Sequence, residues 1–192
     1  MDQMGPALGQ RIMKDVWAEF EALCAANPNE PKALLPHSVG QAYPAIAFYR
    51  AIQKNGLSQN EAYRFVYRAF EKQAGQKAKQ MRKMMQIPGL YRLMPAMWRV
   101  VTKKNFGEDA GFRFHFYDVG NRRVKFDMTQ CPYCQLFAKN GCPELTKVLC
   151  HTDDVMDGNM HPLLLWNRKK TMGGGDDLCD FDLIVLSKKD LE

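Results

Sequence analysis

The sequence predicts an α+β fold, with N-terminal helices packed on a roughly four-stranded antiparallel sheet that carries short inserted helices. Apolar residues recur every three or four positions up to about residue 107, and they alternate with polar residues from position 112 onward. The chain has 192 residues, 46% of them hydrophobic, which suits one core. We therefore predict a single domain over 1–192, divided into a helical part (1–107) and a β-rich part with a cysteine cluster (108–192).

The helical part contains clear start and stop signals. Three helices are predicted, over residues 8–26, 38–54 and 59–86. Asn55-Gly56 ends the second helix, and Ser58 with Glu61 forms a capping box that opens the third. The apolar segment 90–101 has three interpretations: a core helix, the lid of a pocket, or a segment that lies on a membrane.

Alternating residues predict the strands. Positions 112–117 and 124–128 form a hairpin, with three Phe side chains on one face of the first strand and His115 on the other. Residues 160–172 and 178–186 form a second pair around a glycine-rich turn. Short helices are expected to start at Cys131-Pro132 and at Cys142-Pro143, the second ending near Cys150.

Basic residues are concentrated in one stretch of a chain whose net charge is +6. The segment from Arg68 to Lys104 contains ten Lys and Arg residues but only one acidic residue, Glu71. This stretch is a solvated helix face or the contact for an anionic partner or membrane surface. We expect no nucleic-acid partner, because no recognition motif is present. No apolar run is long enough for a membrane span, and the N-terminus lacks a secretory pattern, so a cytoplasmic location is expected.

Four of the six cysteines lie between Cys131 and Asp154. Cys131 is predicted to cap a helix, where free N–H groups and the helix dipole favour a thiolate and lower its pKa. The alternative is a zinc or iron–sulfur site, although the segment has only one Cys-x2-Cys pair. A thioredoxin-like redox pair would need a βαβ frame, which the predicted elements lack.

The same segment and the last hairpin resemble the L-2-amino-thiazoline-4-carboxylic acid hydrolase family over about residues 112–186. The resemblance rests on Cys131-Pro132-Tyr133, Pro143-Glu144-Leu145, Leu149-Cys150, Asp153-Asp154, Thr171-Met172, Gly174-Gly175 and Cys179-Asp180-Phe181. It implies ring-opening hydrolysis of a cyclic amidine-like thiazoline to an N-carbamoyl cysteine. A fainter similarity links the last hairpin to 4-vinyl reductase type ligand-binding domains. Thr171 and Arg168 stand where metal ligands of that type would be, which argues against the same metal site.

We therefore predict a hydrolase that acts on a non-peptide C–N bond of a small cyclic substrate. Its predicted catalytic residues are Cys131, Asp153 and Asp180, and its predicted substrate-binding residues are Arg113, His115, Arg123 and Tyr133. In the alternative chemistry a divalent metal such as zinc, bound by Cys150, His151 and Cys179, activates water. The second class of function is a non-catalytic binding or sensor domain with an apolar pocket, which the methionines near residues 81–97 favour.

Overall fold

The computed structural model describes residues 5–191. Within that range lie α1 (Pro6–Ala26), α2 (Leu35–His37), α3 (Tyr43–Lys54), α4 (Gln59–Met85), α5 (Met94–Asn105), α6 (Pro132–Lys139) and α7 (Leu145–Asp157). One antiparallel sheet contains β1 (Arg113–Tyr117), β2 (Arg123–Gln130), β3 (Leu164–Trp166) and β4 (Cys179–Val185) in the order β1-β2-β4-β3. The predicted α+β class is confirmed. Residues 1–4, which enter the argument against a secretory signal, lie outside the described range.

The helix boundaries follow the local signals in the sequence. The Ser58 hydroxyl accepts a hydrogen bond from the Glu61 backbone N–H at 3.3 Å, and the Glu61 carboxylate accepts one from the Ser58 N–H at 2.8 Å. Gly56 closes the preceding helix with φ of 90°, a left-handed conformation that glycine adopts without steric cost. The predicted helix 38–54 differs in its first turn, because Ser38–Ala42 is π-helical before α3 begins.

The predicted hairpin of β1 and β2 is confirmed, with Phe116 opposite Phe126. On β2 the residues Val124, Phe126 and Met128 are buried, and β4 contributes Cys179, Phe181, Leu183 and Val185 to the same apolar cluster. Alternating strand geometry therefore gives the sheet one core face, against which the helices pack.

Two predicted elements have the wrong extent. The strand expected over 160–172 is only Leu164–Trp166, because the chain then leaves the sheet and the backbone N–H groups of Lys169 and Lys170 donate to the Asp180 carboxylate. The helix expected to end near Cys150 continues to Asp157. The second difference adds Asp153 and Asp157 to α7.

Two apolar clusters stabilise the fold. The first joins α1, α3, α4, α6 and α7, and the second joins the sheet to α5 and the end of α4. Tyr133, in the first turn of α6, packs against both clusters. None of the helices within residues 5–191 combines the length and the apolar character that a membrane crossing requires.

Candidate functional site

A cavity of about 430 Å³ lies between α4 and α5 on one side and the core face of the sheet with α7 on the other. Most of its lining is apolar, and six methionines contribute to it: Met81, Met84, Met94, Met97, Met128 and Met156. Trp98, Phe126 and Phe181 complete the apolar surface next to the sheet. A cavity of this size and lining is typical of sites that enclose small organic molecules.

The polar part of the lining comes largely from one face of α7. Thr146, Cys150, Asp153 and Asp157 all line the cavity. They are four, three and four positions apart, which places them on one side of a helix with 3.6 residues per turn. The sequence-based prediction included Cys150 and Asp153 but missed Thr146 and Asp157, although their helical spacing was a signal that could have found them.

Asp153 is held by a buried arginine that the sequence-based prediction treated only as a missing metal ligand. The Arg168 guanidinium donates to Asp153 at 2.9 Å, to Asp154 at 2.8 Å and to the carbonyl of Cys150 at 2.5 Å. Its side chain is 1% exposed and lies over the rings of Trp166 and Phe181. Arg168 therefore ties the start of the loop after β3 to the polar face of α7.

The two carboxyl groups of α7 that line the cavity have pKa values above the ordinary range. Burial raises the pKa of Asp153 to about 6, because this effect outweighs the opposing influence of Arg168. The Asp153 side chain is 38% accessible and lines the cavity. Burial also raises the pKa of Asp157 well above its usual value, and the charge of Asp153 adds to this effect.

Cys150 and Cys179 form a hydrogen-bonded thiol pair at the wall of the cavity, although they are far apart in the chain. The hydrogen bond from Cys179 lowers the pKa of Cys150, and the backbone N–H of Gly173 acts in the same direction. The thiol of Cys179, in contrast, has a raised pKa because of the same pairing and because of burial. The backbone of residue 173 comes this close to Cys150 only because it is a glycine, since a Cβ at that position would lie 2.8 Å from the Cys150 Sγ.

A second thiol pair, Cys131 and Cys134, lies at the start of α6. Cys131 is the N-cap residue as predicted and lines the cavity. The expectation of a lowered pKa at Cys131 is wrong: its hydrogen bond to Cys134 and its burial raise that pKa. The negative charge is favoured at Cys134, whose pKa falls to about 7 through the hydrogen bonds from Cys131 and Thr146.

Tyr133 lines the cavity beside Cys131 and is anchored by a buried histidine. The Nε2 of His37 lies 2.7 Å from the carbonyl of Asn105, so this nitrogen carries the proton. The Nδ1 of His37 therefore accepts a hydrogen bond from the Tyr133 hydroxyl at 2.8 Å. This network fixes the start of α6 relative to α5, and burial lowers the pKa of His37, in keeping with a neutral ring.

Three predicted substrate-binding residues lie outside the cavity lining. Arg113 and His115 are exposed on β1. Arg123 donates two hydrogen bonds to the buried Asp182, at 2.8 and 2.7 Å. Among the described residues that line the cavity, the only cationic side chain is instead Lys77 on α4. It belongs to the basic stretch that the sequence analysis interpreted as a solvated helix face or a contact for an anionic partner or membrane surface.

Asp180 and His151 also lie away from the cavity. The Asp180 carboxylate accepts the N–H groups of Lys169 and Lys170 and so shapes the loop. The ring of His151 stacks on Tyr67, and its Nε2 lies 3.1 Å from Glu71. His151 therefore does not join Cys150 and Cys179, and in the described part of the chain no three His, Cys, Asp or Glu side chains gather as metal ligands.

The fold and the cavity define a small α+β protein with reactive thiols and carboxyl groups around an internal apolar space. The model of the L-2-amino-thiazoline-4-carboxylic acid hydrolase family matches residues 37–183. The chain therefore belongs to this family, as its motifs indicated. No curated protein matches the chain. The matched range begins at His37 and includes every residue that lines the cavity.

Proposed function

We propose that this protein is a hydrolase that opens a small cyclic amidine-like ring of the 2-amino-thiazoline carboxylate type, with Cys150 as its nucleophile. One observation carries the proposal: Cys150, Asp153 and Asp157 line one cavity from one helix face, and their environments shift their pKa values in different directions. Groups with different proton affinities in one cavity are the arrangement that acid–base chemistry at neutral pH requires. Membership of the hydrolase family supports the reaction class.

The bond that breaks follows from the atoms of the product. An N-carbamoyl cysteine keeps both nitrogens on the former ring carbon and has a free thiol. Net hydrolysis of a 2-amino-thiazoline to that product therefore breaks the C–S bond of the ring, not the C–N bond expected from the sequence. The leaving group is a thiolate, and it needs a proton donor.

In the first step the Cys150 thiolate attacks the ring carbon between the two nitrogens, and the ring sulfur leaves with its electron pair. Asp157, whose pKa burial raises well above its usual value, donates the proton to that sulfur. The product of this step is an isothiouronium in which the enzyme sulfur replaces the ring sulfur. The hydrogen bonds from Cys179 and Gly173 favour the thiolate that starts the reaction.

In the second step water attacks the same carbon and Cys150 leaves as a thiolate. The remaining hydroxyl proton of the protonated urea returns to Asp157, and Asp153 releases the proton that it took from water to solvent, so the enzyme returns to its initial state. Asp153, ionised above about pH 6, accepts the proton from water. Lys77 at the cavity edge is the side chain that pairs with the substrate carboxylate. In this proposal Lys77 takes the role expected for Arg113 or Arg123, and Tyr133 remains a substrate contact.

The test compares three cysteine variants in an assay that follows thiol release from 2-amino-thiazoline-4-carboxylate. We expect Cys150→Ser to lose activity by about 10³-fold or more, since the serine hydroxyl is a much weaker nucleophile than a thiolate at neutral pH. Cys24→Ser, a change in the helical cluster, is the matched control and should keep activity near that of the wild type. Loss of turnover in Cys131→Ser with a normal Cys150→Ser would instead favour the nucleophile predicted from the sequence.

Mass spectrometry of the protein quenched during turnover provides a second readout. The covalent isothiouronium adds the mass of the intact substrate to the peptide that contains Cys150. An adduct on Cys131 would contradict the assignment and make Cys131 the nucleophile. The absence of any adduct, with full activity in Cys150→Ser, would leave direct attack by water.

A non-catalytic binding or sensor function is the second candidate, and the apolar lining of the cavity favours it. In that case Asp157 and Cys150 would be cavity residues without a reaction. Native mass spectrometry of the purified protein, combined with the thiol-release assay, separates the two functions. A retained apolar ligand together with no turnover would support the binding function.

A further inference from the structure

Exposed apolar side chains are concentrated at the end of α4, in the segment that follows it and on α5, the helices that form one wall of the cavity. Of the nine large apolar residues that are exposed in the described chain, six form what we call the mouth patch: Met84, Ile87, Leu93, Met97, Val100 and Val101. Val100 is 66% exposed, and Ile87 and Leu93 are each 57% exposed. Single exposed apolar residues are ordinary, but a contiguous group of this kind marks a contact surface.

Helix α5 joins this patch to the cavity because it has two apolar faces. Met94 and Trp98, four positions apart, line the cavity next to the sheet. Leu93, Met97 and Val100 follow the same helical spacing on the exposed side. Met84, Met97 and Val101 belong to both sets, since they line the cavity and are also exposed. The mouth patch therefore borders the cavity opening.

The same stretch of chain carries an uncompensated positive charge. Residues 72–107 contain no Asp or Glu, and they contain nine cations: Lys72, Lys77, Lys79, Arg82, Lys83, Arg92, Arg99, Lys103 and Lys104. Within the described residues, none of the nine forms a salt bridge. An apolar centre thus lies within a strongly basic segment.

We infer that the mouth patch docks on the surface of an anionic lipid bilayer. Aliphatic side chains enter the boundary between headgroups and acyl chains, while Lys and Arg around them pair with acidic headgroups. A second copy of this chain is a poorer partner, because self-association would bring two basic segments together. Nucleic acid has the charge to bind the basic residues. Its bases would find no exposed aromatic rings in the mouth patch to stack on, so it is also a poorer partner.

This docking places the cavity opening against the bilayer, so a molecule with an apolar part reaches the methionine-lined wall without crossing bulk water. The inference does not depend on the hydrolase proposal, because it rests on the outer surface rather than on Cys150 or the acids of α7. It identifies lipid, rather than protein, as the partner of the basic stretch.

The experiment is flotation of the full chain with vesicles of phosphatidylcholine alone or mixed with phosphatidylglycerol. We expect binding to the mixed vesicles only, weakening as ionic strength rises to about 0.15 M. Val100→Glu should lower the partition coefficient about tenfold or more, because it puts a negative charge in the centre of the patch. Trp17→Glu, at a residue that is 61% exposed on α1, is the matched control and should bind normally.

A charge series tests the second half of the inference. Neutralising Arg92 or Lys104 to Gln should lower the partition coefficient about fivefold each, whereas Lys14→Gln and Lys147→Gln, outside the basic stretch, should not change it. Failure of the wild type to float with mixed vesicles would overturn the inference, as would equal binding by Val100→Glu. Concentration-dependent dimerisation that Val100→Glu abolishes, without vesicle binding, would assign the patch to a second copy instead.

Discussion

The cavity has two walls built from amphipathic helices, and they differ in chemistry. The α7 wall presents a thiol, a hydroxyl and two carboxyl groups along one helix face. The wall of α4 and α5 presents Met81, Met84, Met94 and Met97, with Lys77 as its charged residue. The same periodicity thus produces a reactive surface on one side and an adaptable apolar surface on the other.

The difference indicates how the work of binding and reaction is divided. Polar groups on α7 have fixed partners, such as Arg168 for Asp153 and Gly173 for Cys150, which hold reactive atoms in place. The methionines have no polar partner and several rotatable bonds, so they adapt to the shape of a ligand. Variants of the α7 wall should therefore change the rate constant, and variants of the opposite wall should change affinity.

After the nucleophile itself, the largest effect is expected at Asp157. Asp157→Asn removes the proton donor while keeping its size, so kcat should fall by about 10²–10⁴-fold with little change in KM. The measurement is steady-state kinetics of thiol release. Asp154→Asn, on the same helix but outside the cavity lining, is the matched control and should stay within severalfold of wild type. Equal losses in both variants would show that the loss in Asp157→Asn is not specific to a proton donor at that position.

Replacing Arg168 tests whether its contacts with α7 stabilise the fold. Arg168→Met leaves Asp153 and Asp154 without their cation and removes the stack on Trp166 and Phe181. We expect the free energy of unfolding to fall by about 2–3 kcal/mol, at the low end for a buried pair because both carboxylates are partly accessible. Urea denaturation measures this loss. Arg123→Met, which breaks a comparable pair on the outer face of the sheet, separates damage to the wall from damage to the fold.

The decrease of activity at acid pH should follow the protonation of Asp153. Its pKa of about 6 means that the carboxylate is ionised at pH 7 and protonated at pH 5. As the base for water it works only when ionised, so kcat/KM should fall about tenfold per pH unit below 6. In Asp153→Asn this limb should disappear and activity should be low throughout. A limb that persists in the variant belongs to another group.

The sequence predicted much of this cavity because its strongest signals are local. The capping box at Ser58, the N-cap at Cys131 and the alternation around Phe126 depend on near neighbours, and all three appear in the structure. The predicted site residues Cys131, Tyr133, Asp153, Cys150 and Cys179 line one cavity. Their catalytic, binding and metal roles remain predictions.

What the sequence did not reveal depends on long-range pairing. The negative charge is favoured on Cys134 because Cys131 donates a hydrogen bond to it, and Thr146, twelve positions later in the chain, donates another. From the sequence, Arg168 was interpreted only as a residue that replaces a metal ligand. Its contact with Asp153 could not be predicted, because the fold brings the two residues together. Asp157 was missed because α7 was predicted to end near Cys150, which concealed the continued helical spacing.

The smallest effect tests the apolar wall. Met97→Ala removes a side chain that lines the cavity and is 39% exposed, so the fold should lose little stability. The substrate should lose part of an apolar contact worth about 1 kcal/mol, which raises KM about fivefold while kcat is unchanged. The opposite outcome, a lower kcat with unchanged KM, would mean that α5 positions the reacting ring rather than holding it. The division between the two walls would then be wrong, because an apolar residue would be acting in the transition state.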